Sequence, residues 1–108
     1  MAKEIFIDHS KIDREPPHPG ILFAEHVLPE LAGGRHTVGD IAALLGVSRR
    51  TLHRVMAGKA SVTPEMALRL GKLCGNGPDL WLNMQAAHDL WRLRRRLHKQ
   101  IEELPTLS

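Results

Sequence analysis

The stretch that decides the fold runs from Thr37 to Ala57 and reads TVGDIAALLGVSRRTLHRVMA. Apolar residues recur in it at helical spacing on both sides of Gly46, which predicts one helix over Val38–Leu45 and a second over Arg49–Met56. Each predicted helix follows a hydroxyl side chain of the type that caps helix N-termini, Thr37 and Ser48. Gly46 suits the left-handed backbone conformation of a sharp turn. The stretch is therefore predicted to be a helix-turn-helix.

The two predicted helices carry an apolar face and a basic face. The apolar residues, which we expect to pack inward, are Ile41, Ala42, Leu45, Leu52, Val55 and Met56. The outward face of the second helix contains no acidic residue and consists of Arg49, Arg50, His53 and Arg54. In the major groove an arginine can donate to O6 and N7 of guanine together, a contact that discriminates by ~1–3 kcal/mol. We interpret the second helix as a recognition helix for double-stranded DNA; the alternative is a solvated basic face.

Further polar residues around the second helix are expected to contact the same DNA. Ser48 and Thr51 lie at the helix N-terminus, where they can reach phosphates or bases. Lys59, in the loop that follows, suits a phosphate, which contributes affinity without sequence information. His53 is either a base contact or an exposed polar residue.

Helical patterns on either side extend the prediction to five helices and an all-α domain with an extended C-terminal helix. The other three helical segments are predicted over residues 20–34, with a disturbance at Pro29, over residues 64–74, and from residue 78 to about Leu104. Helical spacing predicts a set of core residues in the last helix, namely Leu80, Met84, Ala87 and Trp91, with Trp81 beside them.

Composition limits the possible functions. The chain has 108 residues, 43% of them hydrophobic, which predicts one packed domain. Its net charge is only +3, but basic residues without acidic neighbours cluster in residues 49–59 and 92–99. Cys74 is the single cysteine, so neither an intramolecular disulfide nor a thiolate zinc cluster can form. The seven histidines show no metal-ligand spacing, and no phosphate-binding or nucleophile motif is present. We expect no enzyme activity, cofactor or metal, no membrane association, and a cytoplasmic location.

Several motifs together carry a resemblance to a known family. They are HPG at residues 18–20, LLGVSRRTL at 44–52, AGK at 57–59, TPEMALRL at 63–70 and WLNMQ at 81–85. With these motifs the chain resembles the Xre-like helix-turn-helix proteins, specifically the HigA-type antitoxins, over roughly residues 18–93. The resemblance implies a five-helix domain of the Xre/lambda-repressor-like type. The helix-turn-helix alone indicates a large superfamily, whereas TPEMALRL and WLNMQ at this spacing are much more specific.

The resemblance implies a homodimer that binds an operator in its own promoter and neutralises a ribonuclease toxin encoded beside it. A dimer predicts an inverted-repeat operator with half-sites about 10 bp apart, or a multiple of that spacing. The resemblance also implies base-reading positions and phosphate-contacting or supporting positions: Arg49, Arg50 and Arg54 for the former, and Thr37, Ser48, Thr51 and Lys59 for the latter. Two alternatives stay open, a stand-alone Xre-family regulator without a toxin partner, and an interaction module that has lost DNA binding.

The two ends of the chain lie outside the shared motifs. Residues 1–17 are predicted as an N-terminal arm, either a frayed tail or a short strand around Ile5–Ile7 that docks on a partner. Residues 18–91 are predicted to form the DNA-binding domain, and residues 92–108 are predicted to form a basic helical extension. Leucines recur there every seven residues, with two further apolar residues between them: Leu90, Leu93, Leu97, Ile101 and Leu104. The stripe suits packing against another helix, as across a dimer. The basic face over residues 92–99 suits DNA backbone, an acidic partner or solvent.

Overall fold

The predicted five-helix, all-α fold is confirmed in the computed structural model, which describes residues 14–107. The helices are α1 (Pro19–Leu22), α2 (Val38–Leu45), α3 (Arg49–Met56), α4 (Pro64–Cys74) and α5 (Pro78–Glu102). No strand occurs within these described residues. The Ile5–Ile7 cluster of the predicted arm lies outside them. α5 continues without a break across residues 91 and 92, where the sequence suggested a boundary, and the division into domain and extension stays a prediction.

The first helix changes its winding instead of ending. After α1 the chain passes through a π-helical segment, Phe23–Val27, and then a 3-10 segment, Leu28–Gly34. The N–H of Leu28 donates to the carbonyl of Phe23, five residues back, which marks the wider turn. Pro29 follows immediately, where the helix was expected to be disturbed, because a proline has no N–H to continue the pattern. Gly33 and Gly34, with φ of 67° and 76°, end the segment.

The helix-turn-helix begins with a capping box. The hydroxyl of Thr37 accepts the N–H of Asp40 at 3.1 Å, and the Asp40 carboxylate accepts the N–H of Thr37 at 2.9 Å. Hydrogen bonds from Thr37 to the carboxylate, first from its backbone N–H and then from its hydroxyl, hold the pKa of Asp40 below its ordinary value. α2 then ends at Gly46 in the left-handed conformation, with φ of 75°. α3 begins after Ser48, whose hydroxyl oxygen accepts the N–H of Thr51 at 3.0 Å.

The hydrophobic core lies where α2, α3, α4 and α5 meet. It contains five of the six predicted inward residues of the helix-turn-helix, and the sixth, Met56, is half-buried and packs against it. Residues from the other elements complete the core, among them Phe23, Val62, Met66, Leu70 and Trp81. The rings of Phe23 and Trp81 meet edge to face with centroids 6.1 Å apart, and the Trp81 indole N–H donates to the Asn76 side chain at 3.0 Å. The ring of Trp81 therefore packs against an apolar side chain, and its indole N–H has a hydrogen-bond acceptor.

The core prediction for α5 was correct for some positions and wrong for others. Ala87 is buried and Met84 packs against the core, but Leu80 is 47% exposed and Trp91 is only half-buried. The buried positions are Trp81, Gln85, Ala87 and His88, so the inward face is turned by about one residue relative to the prediction. Two polar residues occupy this inward face, and a pattern of apolar residues alone could not reveal it.

Candidate nucleic-acid interface

The outward face of α3 is exposed along its whole length. Arg49, Arg50, His53 and Arg54 are all exposed, whereas Leu52 and Val55 on the opposite face are 0% and 3% exposed. The helix therefore presents three guanidinium groups and an imidazole on one side and buries the other against the core. This is the arrangement that a recognition helix requires, because the groove-facing side chains do not contribute to the core.

Two of the three arginines also lie against neighbouring backbone. The Arg49 guanidinium covers Gly39 in the first turn of α2, so closely that a Cβ at Gly39 would lie 2.8 Å from its Nη2 atom. Arg54, at the other end of α3, donates from Nη2 to the carbonyl oxygen of Lys59 at 3.3 Å. Arg50 lies between them along the chain. The three guanidinium groups are thus spread from the start of α2 to the loop after α3.

The hydroxyl groups at the helix N-termini differ in what they still offer a ligand. Ser48 accepts the N–H of Thr51 and donates its own proton to the Thr51 hydroxyl oxygen at 2.9 Å. The hydroxyl proton of Thr51 is not used in this cap, and in the Thr37 capping box the threonine oxygen serves as an acceptor. Thr51 therefore keeps a donor that suits a phosphate, whereas the Thr37 hydroxyl also donates to the Asp40 carboxylate and Ser48 is chiefly engaged in holding α3.

The turn between α2 and α3 is fastened by a residue that the sequence analysis did not single out. Arg69 on α4 donates from Nη1 to the carbonyl oxygen of Leu45 at 2.7 Å, and its Nη2 lies 2.8 Å from Glu65, one turn earlier on α4. The carbonyl of Leu45 belongs to the last turn of α2, where intrahelical donors are lacking. The spacing of Glu65 and Arg69 predicts their ion pair, but no sequence signal reveals the contact with Leu45.

The loop after α3 is fastened in a similar way by α5. Gln85, 6% exposed, accepts the N–H of Val62 at 2.7 Å and donates its amide N–H to Asp89 at 2.9 Å. Gln85 is the last residue of the WLNMQ motif, but the motif did not indicate its role, which only the hydrogen bond with Val62 shows. The loop that carries Lys59 is thereby tied to the longest helix.

The start of α1 is held between α3 and α5. His18, 4% exposed, accepts the N–H of Gly20 on Nδ1 at 2.9 Å and packs edge to face on His88, with ring centroids 5.1 Å apart. Burial, and after it the charge on His88, lowers the pKa of His18. The Nδ1 atom of His88 lies 2.8 Å from the carbonyl oxygen of Pro16. These contacts join the segment before α1 to α5.

The contact of α1 with α3 is made by backbone. A Cβ at Gly20 would lie 1.9 Å from the carbonyl oxygen of Val55, so only glycine allows this approach.

Among residues 14–107, the acidic, histidine and cysteine side chains form no group of three that could hold a metal ion. The helices in this part of the chain also lack the length and apolar content needed to cross a bilayer.

Comparisons with known proteins agree with this geometry. Residues 30–81 match a family described as a helix-turn-helix domain. Over 91 residues the chain is 36% identical to an uncharacterized HTH-type transcriptional regulator, YbaQ of Escherichia coli K12, covering 82% of this chain and 76% of that protein.

Solved structures are similar over most of the chain. An addiction module antidote protein of the HigA family from Coxiella burnetii superposes with a TM-score of 0.76 at 32% identity, covering 88% of this chain and 100% of that one. Antitoxin HigA of Pseudomonas aeruginosa, solved with the higBA promoter, superposes with a TM-score of 0.76 at 26% identity, covering 87% of this chain and 100% of that one.

Proposed function

Because the chain belongs to the Xre-like helix-turn-helix family that includes the HigA-type antitoxins, we propose that it is a sequence-specific DNA-binding antitoxin. It represses its own toxin–antitoxin operon and neutralises a cognate ribonuclease toxin by direct binding. The observation that carries the DNA-binding half is the exposed basic face of α3, free of acidic residues, on a helix whose other face is fully buried. The solved HigA relative with its promoter supports the same function.

The proposed DNA contacts divide into two groups. Arg49, Arg50 and Arg54 read base edges, with His53 as a further polar contact on the same face. Thr37, Ser48, Thr51 and Lys59 contact or support contacts to the phosphate backbone. The unused hydroxyl proton of Thr51 favours a phosphate role for this residue in particular. Affinity should fall as salt concentration rises, in proportion to the phosphates neutralised.

The test of base reading is the double variant Arg49→Ala/Arg50→Ala, measured against operator DNA and unrelated DNA. Two lost guanine contacts at ~1–3 kcal/mol each correspond to a loss of specific affinity of at least about 30-fold. The matched control is Arg94→Ala/Arg96→Ala, which removes the same charge from exposed positions on α5. The control should leave the ratio of specific to unspecific affinity unchanged. An unchanged ratio in the α3 variant would mean that α3 does not read bases.

The toxin half of the proposal rests on the resemblance to antitoxins and needs its own test. We expect the product of a neighbouring gene, a small ribonuclease, to co-purify with this chain and to lose its activity in the complex. The Arg49→Ala/Arg50→Ala variant should still bind it, because exposed α3 side chains can be changed without affecting the core. A solitary gene without a co-purifying partner would count strongly against this half.

One observation favours a second candidate, a stand-alone transcriptional regulator. The relative YbaQ is described as an HTH-type transcriptional regulator, and it matches this chain over most of its length. Both candidates predict a homodimer on an inverted repeat, with half-sites about 10 bp apart or a multiple of this. They differ in the partner protein alone, so the co-purification experiment separates them. Footprinting that shows a single asymmetric site would contradict the dimer in both.

A further inference from the structure

A polar groove of about 290 Å³ lies between the loop after α3 and the middle of α5. Most of its lining side chains are polar, and the argument below concerns five of them: His18 before α1, Lys59 and Ser61 in the loop, and Asp89 and Arg92 on α5. Pockets that hold organic ligands are mostly apolar, with only a few polar groups. The groove therefore suits a small polar ligand.

Several hydrogen-bond donors of the groove have no acceptor within the described part of the chain. Neither the backbone N–H nor the hydroxyl of Ser61 donates to another group there, and the Lys59 ammonium forms no ion pair. His18 adds a buried donor. Because its Nδ1 accepts the N–H of Gly20, the neutral ring carries its proton on Nε2, and Nε2 has no hydrogen-bond partner. Donors without acceptors call for a ligand rich in acceptors.

The surroundings of His18 agree with a missing acceptor. Burial lowers the pKa of its imidazole, and the backbone of Ala60, which also lines the groove, counteracts part of this effect without completing a hydrogen bond to Nε2. An acceptor placed beside Ala60 would satisfy the buried donor.

The charges of the groove favour an anion. Lys59 and Arg92 bring two positive charges, and Asp89 is the single carboxylate among the described residues that line the groove. The Oδ1 atom of Asp89 already accepts the side-chain amide of Gln85 at 2.9 Å. An anion with several oxygens can pair with both cations and accept from Ser61 at the same time, and a phosphate group has this chemistry.

We propose that this groove binds a phosphate group, held by the Lys59 ammonium, the Arg92 guanidinium and the donors of Ser61. Two sources share this chemistry, a backbone phosphate of DNA and a free phosphate or phosphorylated small molecule. The groove begins where the basic face of α3 ends, since Arg54 donates to the carbonyl oxygen of Lys59 at 3.3 Å, and this favours the DNA backbone. With that source the inference rests on the proposed function and adds Ser61 and Arg92 to the phosphate contacts.

Glu15 competes with the phosphate for Arg92. Its Oε2 atom lies 3.4 Å from Nη1 of Arg92, and the two side chains are 40% and 65% exposed. Exposed ion pairs of this kind contribute little to stability, so a phosphate that also pairs with Lys59 can replace the carboxylate. Glu15→Gln should therefore raise the affinity for phosphate about two- to fivefold.

The first experiment titrates inorganic phosphate into the full-length protein at constant ionic strength and follows the backbone amides by NMR. We expect a saturable shift of the Ser61 amide, with an affinity about tenfold lower in Lys59→Ala and in Arg92→Ala. The matched control is Arg94→Ala, which removes the same charge from an exposed position of α5 outside the groove and should leave the titration unchanged.

The second experiment distinguishes the two sources of phosphate. Binding to a duplex of unrelated sequence is measured at several salt concentrations. If the DNA backbone is the source, Arg92→Ala should reduce the slope of log K against log salt concentration by about 1, whereas Arg94→Ala should keep it. An unchanged slope together with a saturable phosphate titration would assign the groove to a free phosphate or a phosphorylated small molecule. A reduced slope without a phosphate titration would assign it to the DNA backbone alone.

Failure of this inference and failure of the proposed function give different results. If Arg92→Ala changes neither the titration nor the salt slope, while the unmodified protein binds its operator, the inference is overturned and the function stands. If the unmodified protein does not bind DNA, the DNA-binding function is overturned, and the titration with inorganic phosphate alone decides on the groove.

Discussion

Replacing Gln85 by leucine should destabilise the protein by about 2 kcal/mol, because it removes the acceptor of a buried N–H. Gln85 is 6% exposed, and its side-chain oxygen accepts the backbone N–H of Val62, itself 2% exposed, at 2.7 Å. Leucine has a similar volume but cannot accept a hydrogen bond. A buried donor left without a partner costs ~1–3 kcal/mol, and the apolar gain of leucine offsets only part of this.

The predicted destabilisation can be measured as a shift in the thermal midpoint. For a domain of this size, 1 kcal/mol shifts the Tm by ~4–8 °C, so a Tm lower by about 10 °C is expected for Gln85→Leu. Circular dichroism gives the Tm, and urea unfolding gives the free energy of unfolding with an unchanged slope against urea concentration. Amide hydrogen exchange at Val62 should become faster than in the unmodified protein, since the local hydrogen bond is lost.

A pair of substitutions controls for the polarity of the contact. Gln85→Glu keeps an acceptor for Val62 but places a carboxylate beside Asp89, which now accepts from Gln85 at 2.9 Å. Adding Asp89→Asn supplies an amide donor in place of that carboxylate, so the double variant should be more stable than Gln85→Glu alone. If Gln85→Leu unfolds at the unmodified Tm, and exchange at Val62 is unchanged, the assigned role of this hydrogen bond is refuted.

Three further predictions concern the contacts around α3. Gly20→Ala should lower the free energy of unfolding by ~1–3 kcal/mol or more, because its Cβ would overlap the carbonyl of Val55; urea unfolding measures this, and an unchanged midpoint would contradict the close approach. The lowered pKa of His18 means that the fold favours its neutral form, so its stabilisation is present above pH 6.5 and is lost as the pH falls below that value. Tm measured from pH 7.5 to 5 should fall less steeply in His18→Asn, and parallel curves would contradict the assignment. Gly39→Ala should displace the Arg49 guanidinium and change operator affinity while leaving Tm equal or higher, because alanine favours a helix interior by ~1 kcal/mol; equal affinity would mean that Arg49 does not depend on this position.

The fold could be predicted from local signals wherever the chain carries its own stops and starts. Thr37, Ser48 and Thr63 begin helices, and Gly46 and Gly75 end them in the left-handed conformation, all as expected from residue type. The change of winding after α1 could not be predicted in this way. The π-helical segment starts at Phe23, a buried core residue, and no capping residue or glycine marks that position.

The exposed basic face of α3 could also be predicted from local sequence signals. The contacts that hold α3 in place could not. The basic face of α3 follows from helical periodicity, since three arginines and a histidine fall on one side of this short helix and the two buried residues fall on the other. The residues that fasten that helix act at long range: Arg69 reaches Leu45, 24 residues away, and Gln85 reaches Val62, 23 residues away. From residue type alone, an arginine or a glutamine on a helix is expected to be exposed, so these two contacts could not be predicted.

The structure separates the residues that hold α3 from those that we propose to read DNA. α3 has eight residues, too few for a helix that is stable by itself in water, so its position depends on the contacts made by Gly20, Arg69 and Gln85. These contacts involve α1, α4 and α5, and changing any of them costs stability. The exposed side chains of Arg50 and His53 contribute nothing to the core, and substitutions at such positions change stability by only about 0.5 kcal/mol. The face that we propose reads bases can therefore change to fit a new operator while the scaffold that positions it stays the same.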